Sequence, residues 1–145
     1  MYASLRVQKI KTIEGRIWKL CKQIIRKQYP NVCVSCGEKD LEGTNWHTGH
    51  YFRKKFIPIQ MKYDLRLLRP QCRQCNMRRH GALEYYTVYL LNNHPAEYIL
   101  DIYNDIEYWK YNQSGTKQTR EFLLSLEEKY ATLLESYQRM ATPVD

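Results

Sequence analysis

Four cysteines in two close pairs are the residues of this chain best equipped for chemistry. Cys33-Val34-Ser35-Cys36 and Cys72-Arg73-Gln74-Cys75 are separated by 35 residues. Two such knuckles offer four thiolates, the soft tetrahedral set that zinc prefers. The competing reading is a pair of disulfides, which needs an oxidising compartment. The N-terminus is basic and amphipathic and lacks the apolar stretch of a signal peptide. The spacing therefore points to structural Zn2+ on Cys33, Cys36, Cys72 and Cys75. Inside the frame lies Trp46-His47-Thr48-Gly49-His50-Tyr51, and Asn76 directly follows the last cysteine. His50 has the side chain of a general base that works near neutral pH. Asn76 offers a neutral oxygen, and His47 a nitrogen, to a second and harder divalent ion, Mg2+ or Mn2+. An activated water beside a cation is what phosphodiester hydrolysis requires. The plainer reading is a zinc staple for a small domain, with the histidines as ordinary core or surface residues.

Charge distribution says which substrate such chemistry would meet. The chain has 145 residues and a net charge of +8. Residues 1–32 carry eight Lys/Arg against one Glu, and residues 50–80 carry nine against one Asp. Residues 81–145 carry five against ten acidic residues. Positive charge gathered on the N-terminal segment and the cysteine frame is the footprint expected for DNA or RNA. Arg53, Lys54 and Lys55 follow Tyr51 and Phe52, a mixture that suits unpaired bases and their phosphates. Arg73, Arg78 and Arg79 around the second knuckle are further candidate phosphate contacts. A solvated basic surface is the alternative. No apolar run approaches the ~18–20 residues of a membrane span.

The elements that must position these groups are mostly helical. Ile10, Ile13, Ile17, Leu20 and Ile24 recur at spacings of three and four, which predicts a helix over 5–28 stopped by Pro30. Gly15 weakens its interior by roughly 1 kcal/mol relative to Ala. Cys21 on this stretch reads as a small buried hydrophobe. Trp46–Phe52 alternates as a short strand would. Leu65, Leu67 and Leu68 approach the second knuckle, where Pro70 should end any regular element, and a helix should begin near Asn76. Leu83–Leu91 is helical. Pro95 opens another helix through Ile99, Ile102, Tyr103 and Ile106, with Asn93 or His94 near its cap. Gln113–Thr116 reads as a linker. Thr119 caps a last helix whose stripe is Phe122, Leu126, Tyr130, Leu133, Tyr137 and Met140. The expected fold class is α+β. A zinc-stapled hairpin-loop-helix module over 31–93 is flanked by a basic helix over 1–30 and a helical extension over 94–145.

The motifs CVSC, WHTGHY, KYD, RPQCRQCN and GALEYYTVYL together resemble the NinG/Rap-type recombination nucleases of lambdoid phages. Those proteins are similar to the HNH, or ββα-metal, superfamily that includes phage Holliday-junction resolvases. The resemblance covers about residues 30–95. It implies a treble-clef-like ββα-metal module, with His50 as general base and Asn76 as a ligand of the catalytic ion. It also implies cleavage of branched or single-strand-containing DNA in the cytoplasm of a phage-infected bacterium. Phage recombination proteins are implied partners, and a homodimer is compatible with the pattern. Three stretches depart from the family pattern. Gly49 stands where an Asp often precedes the general-base His, and His47 is the substitute ligand at hand. Leu67 and Arg69 stand where relatives often have Asn. Gly81-Ala82 stands where Gly-Asn often follows the knuckle. The alternative functions are a catalytically silent DNA-binding zinc module and an RNA-binding or host-interaction protein.

Overall fold

The computed structural model describes residues 9–112 and 119–140. The first helix, α1, runs Ile10–Gln28. Tyr29 turns extended ahead of Pro30, as a residue before proline prefers, and its N–H closes the helix on the Ile25 carbonyl. Residues 5–8 of the expected helix lie outside the described residues. The inward face carries Ile13, Ile17, Cys21, Ile24 and Ile25, all fully buried. It packs against the last helix, α4, which spans Arg120–Met140. Leu123, Tyr130 and Leu134 of α4 complete that core, together with Tyr63 and Leu68. Arg16 grips Glu127 with two hydrogen bonds, and Tyr130 Oη donates to the Tyr63 carbonyl at 2.6 Å. The two ends of the sequence therefore make one core.

The expected α4 stripe holds over its middle, with Tyr130 buried and Leu126, Leu133 and Tyr137 packed against the core, and fails at its two ends. Phe122 and Met140 are exposed, whereas Leu123 and Leu134 are buried. Thr119 does cap the helix, accepting from the Phe122 N–H at 3.1 Å. The expected linker at 113–116 lies outside the described residues.

Between these helices sits a two-stranded antiparallel ribbon. Strand β1 is His47–His50 and β2 is Leu68–Gln71, in the register His47↔Gln71 to His50↔Leu68. Pro70 lies inside β2, opposite Thr48, rather than ending a regular element. Both strands of a two-stranded ribbon are edges, so a proline nitrogen can face away from the partner without losing a ladder bond. The Pro70 carbonyl still accepts from the Val34 N–H at 3.1 Å, tying the first knuckle to the second. Residues 51–67 cross between the strands through three short 3-10 turns.

The helix expected from Asn76 is a single π-helical turn, Gln74–Arg78. His80, Gly81 and Ala82 follow with positive φ and break the chain before α2, Leu83–Asn93. His94 closes α2, and α3 spans Ala96–Asn112. Their buried faces, with Tyr86, Leu90, Ile99, Ile102 and Ile106, meet Tyr51, Ile57, Met61 and Leu67 in a second core. Arg69, fully buried in β2, joins the two cores. Its guanidinium donates to the Leu68 carbonyl at 2.8 Å and to Tyr98 Oη at 2.9 Å, bonds His94 Nε2, and lies 4.4 Å over the Tyr29 ring.

Candidate functional site

The two knuckles converge. The Sγ atoms of Cys33, Cys36, Cys72 and Cys75 all lie within 4.8 Å of one another, and Cys36 Sγ is 3.7 Å from Cys72 Sγ. Four thiolates at about 2.3 Å from one tetrahedral zinc would stand about 3.8 Å apart. The set could hold a zinc ion. Cys33, Cys72 and Cys75 are buried and Cys36 is exposed. In each knuckle the backbone N–H of the last residue points at the first sulfur, Cys36 N to Cys33 Sγ at 3.5 Å and Cys75 N to Cys72 Sγ at 3.4 Å. The tight return after Cys36 uses Gly37 at φ +79°. Leu41, Ala82 and the edge of Trp46 cover the cluster.

The ribbon places the two histidines on opposite faces, because they are three residues apart on a regular strand. No turn occurs at Gly49, which pairs with Arg69. His47 Nε2 donates to the Thr44 carbonyl at 2.9 Å, which leaves the Nδ1 lone pair to accept from Asn76 Nδ2 at 3.0 Å. The π-helical turn after the second knuckle is what brings Asn76 against β1. Rotating the Asn76 amide by 180° would bring Oδ1 beside that lone pair, so both groups can face one hydrated cation. Mg2+ and Mn2+ accept such sparse protein ligation because they keep several waters.

His50 projects from the other face. Its ring stacks on Trp18 of α1, centroids 5.3 Å apart and planes 12° from parallel. Nε2 bonds the Lys62 carbonyl at 3.0 Å. A carbonyl only accepts, so the Nε2 proton is fixed and Nδ1 carries the free lone pair. Burial, with Lys54 and Lys62 nearby, pushes the His50 pKa down to about 4. The imidazole is therefore neutral at physiological pH. Asn76 is common to two adjoining furrows. One is lined by His50, Arg53, Lys54, Lys55, Asn76 and His80, the other by Trp18, Lys22, Arg26, Trp46, His47 and Asn76. Arg53, Lys54, Lys55, Arg73, Arg78 and Arg79 are all exposed, as phosphate contacts must be.

Sequence reasoning missed three contributors. Trp18 reads as a routine member of an amphipathic helix, and nothing local ties it to His50. Gln71 explains Gly49. The Gln71 side chain is fully buried, and its Nε2 donates to Ser35 Oγ at 2.8 Å and to the Gly81 carbonyl at 2.7 Å. A Cβ on Gly49 would sit 1.7 Å from Gln71 Oε1. The third is the Lys62 carbonyl, which sets the His50 tautomer from twelve residues away. An acidic side chain at position 49 is thus sterically excluded while Gln71 keeps its two bonds. Gly49→Ala should destabilise the fold by about 1–3 kcal/mol, the usual cost of overpacking. The same change beside Gln71→Ala should cost much less. Urea unfolding of the four proteins of that cycle measures the coupling.

What the fold and furrow define is a small, basic, cysteine-stapled protein with a histidine–asparagine centre. The family model described as Bacteriophage Lambda NinG protein matches residues 3–131, and the chain belongs to the NinG family. It is 36% identical to Protein ninG of Escherichia phage 933W over 70 residues, which cover 48% of this chain and 33% of that protein. It is 28% identical to Protein ninG of Salmonella phage P22 over 109 residues, 75% of this chain and 51% of that protein. Protein ninG of Escherichia phage lambda is 33% identical over 70 residues, 48% of this chain and 33% of that protein. The chain thus spans between a third and a half of the length of these relatives. No solved structure matches it. Among the described residues, no helix is long and apolar enough to cross a membrane.

Proposed function

We propose that this protein is a metal-dependent endonuclease of the HNH, or ββα-metal, type that cuts branched or single-strand-containing DNA during phage recombination in the host cytoplasm. One observation carries the reading. His50 has its Nε2 proton committed to the Lys62 carbonyl and its Nδ1 lone pair free, in a furrow shared with Asn76 and flanked by Arg53, Lys54 and Lys55. In the proposed reaction His50 Nδ1 accepts a proton from the attacking water. The Lys62 carbonyl holds the ring in orientation as it becomes cationic. Asn76 and His47 would hold a divalent ion, which when present neutralises charge developing on the scissile phosphate. The exposed arginines and lysines position the backbone. The cysteine cluster with zinc ties the first knuckle to the end of β2 and the π-helical turn that carries Asn76, so it supports the centre without entering the chemistry.

The protein needs to be incubated with a four-way junction, single-stranded DNA and plain duplex, each with Mg2+, Mn2+ or no divalent ion. Cleavage of the branched or single-stranded substrates that depends on the ion is the expected result. Absence of cleavage in every metal by protein that still binds DNA would replace this reading with the silent DNA-binding module. The observation favouring that second reading is that, among the described residues, neither furrow holding Asn76 is lined by an acidic side chain.

A further inference from the structure

The N-terminal helix has a basic side that its own fold engages only in part: Trp18 packs against the core and stacks on His50, and Arg26 donates to the Trp46 carbonyl at 2.9 Å. Lys11, Gly15, Trp18, Lys22 and Arg26 recur at spacings of four, three, four and four, and form one side of α1. The opposite side is the one buried against α4. Every member of the row lines a furrow that reaches the histidine centre. Lys11, Gly15 and Trp18 share one with His50, Lys54 and a Lys62–Glu14 ion pair, and Trp18, Lys22 and Arg26 share the next with His47 and Asn76. Tracked along the helix, the row is about 22 Å long, enough for about six phosphates of one strand at ~3.4 Å each.

From this arrangement we infer that α1 is a nucleic-acid-binding wall, on which Lys22 and Arg26 hold the phosphates of a single DNA strand as it leaves the His47–Asn76–His50 centre. The inference rests on the endonuclease reading for its ligand class, and names a surface which that reading does not require. Four features support it. The cations alternate with indole rings: Arg26 lies 4.1 Å over Trp46 and Lys54 lies 5.3 Å over Trp18. Such pairing of rings and cations suits a strand with unpaired bases better than a closed duplex, whose bases present no face. Neither Lys22 nor Arg26 is paired with a carboxylate among the described residues, and the furrow they line contains no acidic side chain. Trp46 lines the same furrow, so one of the rings that the cations cover forms part of its wall. Finally, Gly15 has nothing within 4 Å of where its Cβ would stand, so packing does not demand glycine there. Its absent side chain leaves a flat step beside Trp18, where a sugar-phosphate backbone can approach the helix.

The test is anisotropy of a fluorescein-labelled 12-nucleotide DNA single strand, measured across a salt series without added divalent ion. Lys22→Ala with Arg26→Ala should weaken binding at least tenfold at about 100 mM salt and reduce the log–log salt slope by about 1.4, since each phosphate contact on a single strand contributes about 0.7. Lys27→Ala with Lys129→Ala, which removes the same charge from outside the furrows, should change affinity less than threefold. Lys22→Arg with Arg26→Lys keeps both charges and should bind like the unmodified protein, which separates lost contacts from a damaged fold. Duplex of the same sequence should be affected much less than the single strand. If the unmodified protein binds the strand and the double alanine variant binds it equally well, the wall is refuted and the endonuclease reading stands. If duplex binding falls as steeply, the single-strand assignment is wrong. If the unmodified protein binds no DNA, both readings fall.

Discussion

Cys72→Ser protein should contain no zinc and should unfold without a cooperative transition, whereas the unmodified protein should carry one zinc per chain. The effect is expected to be the largest of any single substitution because Cys72 serves two structures. It supplies one of four mutually adjacent sulfurs, and it follows Gln71 at the end of β2. Burial pushes the Cys72 thiol up to about 11 and Cys75 higher still, so those two sulfurs resist becoming thiolates on their own, whereas at Cys33 burial is outweighed by backbone N–H groups, which hold its thiol below the ordinary value. A bound cation reverses that cost, and its binding free energy becomes folding free energy. Among the described residues, the apolar cluster around the sulfurs is small, made of Leu41, Ala82 and the partly buried Trp46. It cannot hold the two knuckles together by apolar burial alone. Metal content by atomic emission and thermal unfolding followed by circular dichroism check both halves. A Cys72→Ser protein that melts like the unmodified chain would remove zinc from the account. So would a Cys33–Cys36 disulfide found in protein purified under reducing conditions.

If the protein is the endonuclease proposed above, replacing His50 should cost about 10²–10⁴-fold in cleavage rate, the usual contribution of a positioned general base. The structure changes which variant is informative. His50 is half-buried against Trp18 and satisfies the Lys62 carbonyl, so His50→Ala also leaves a partly buried acceptor without its partner, at up to about 1 kcal/mol. His50→Asn keeps a donor and is the cleaner substitution. Its cleavage should collapse while zinc content and DNA affinity stay near those of the unmodified protein. Asn76→Ala should also slow cleavage, with a defect that shrinks as Mn2+ is raised. pH dependence offers a check that a packing role would not give. A pKa near 4 means His50 stays in its base form as pH falls from 7.5 to 5.5, so the rate should show no histidine-like fall across that window. The same shift works on stability. The unfolded chain takes up the proton near pH 6.5 and the folded one only near 4, so His50 stabilises the fold fully above about 6.5 and loses that contribution as pH drops through 4. His50→Asn should flatten the acid side of the stability curve. A well-folded His50→Asn protein that cuts at the unmodified rate would move the base elsewhere in the furrow.

Local signals in the chain were sufficient for a good part of this architecture. The CxxC pairs specify a four-sulfur cluster because tetrahedral thiolate ligation has a short, rigid reach. Pro30 ends α1, Pro95 opens α3 and Thr119 caps α4 because helix ends are decided by one or two residues. The concentration of positive charge on α1 and residues 50–80 is likewise a property of the sequence alone. Pro70 misled, since a proline is barred from the middle of a wide sheet but tolerated in a ribbon with two edges, and strand count is not a local quantity.

Tertiary structure decided the rest. That α1 pairs with α4, more than a hundred residues away, depends on which two amphipathic faces are left uncovered once the ribbon and α2–α3 have packed. Gly49 looks like a missing ligand in the sequence, and only the buried amide of Gln71, held by Ser35 and Gly81, makes it a steric necessity. His47 and His50 are both legible as candidate site residues. Their protons are not, because each tautomer is set by a backbone carbonyl, Thr44 for one and Lys62 for the other. The path of the chain between β1 and β2 brings Lys62 back to His50, and no periodicity encodes that path. Residue types fix what chemistry is available at a position, while the direction of a lone pair belongs to contacts that exist only after folding.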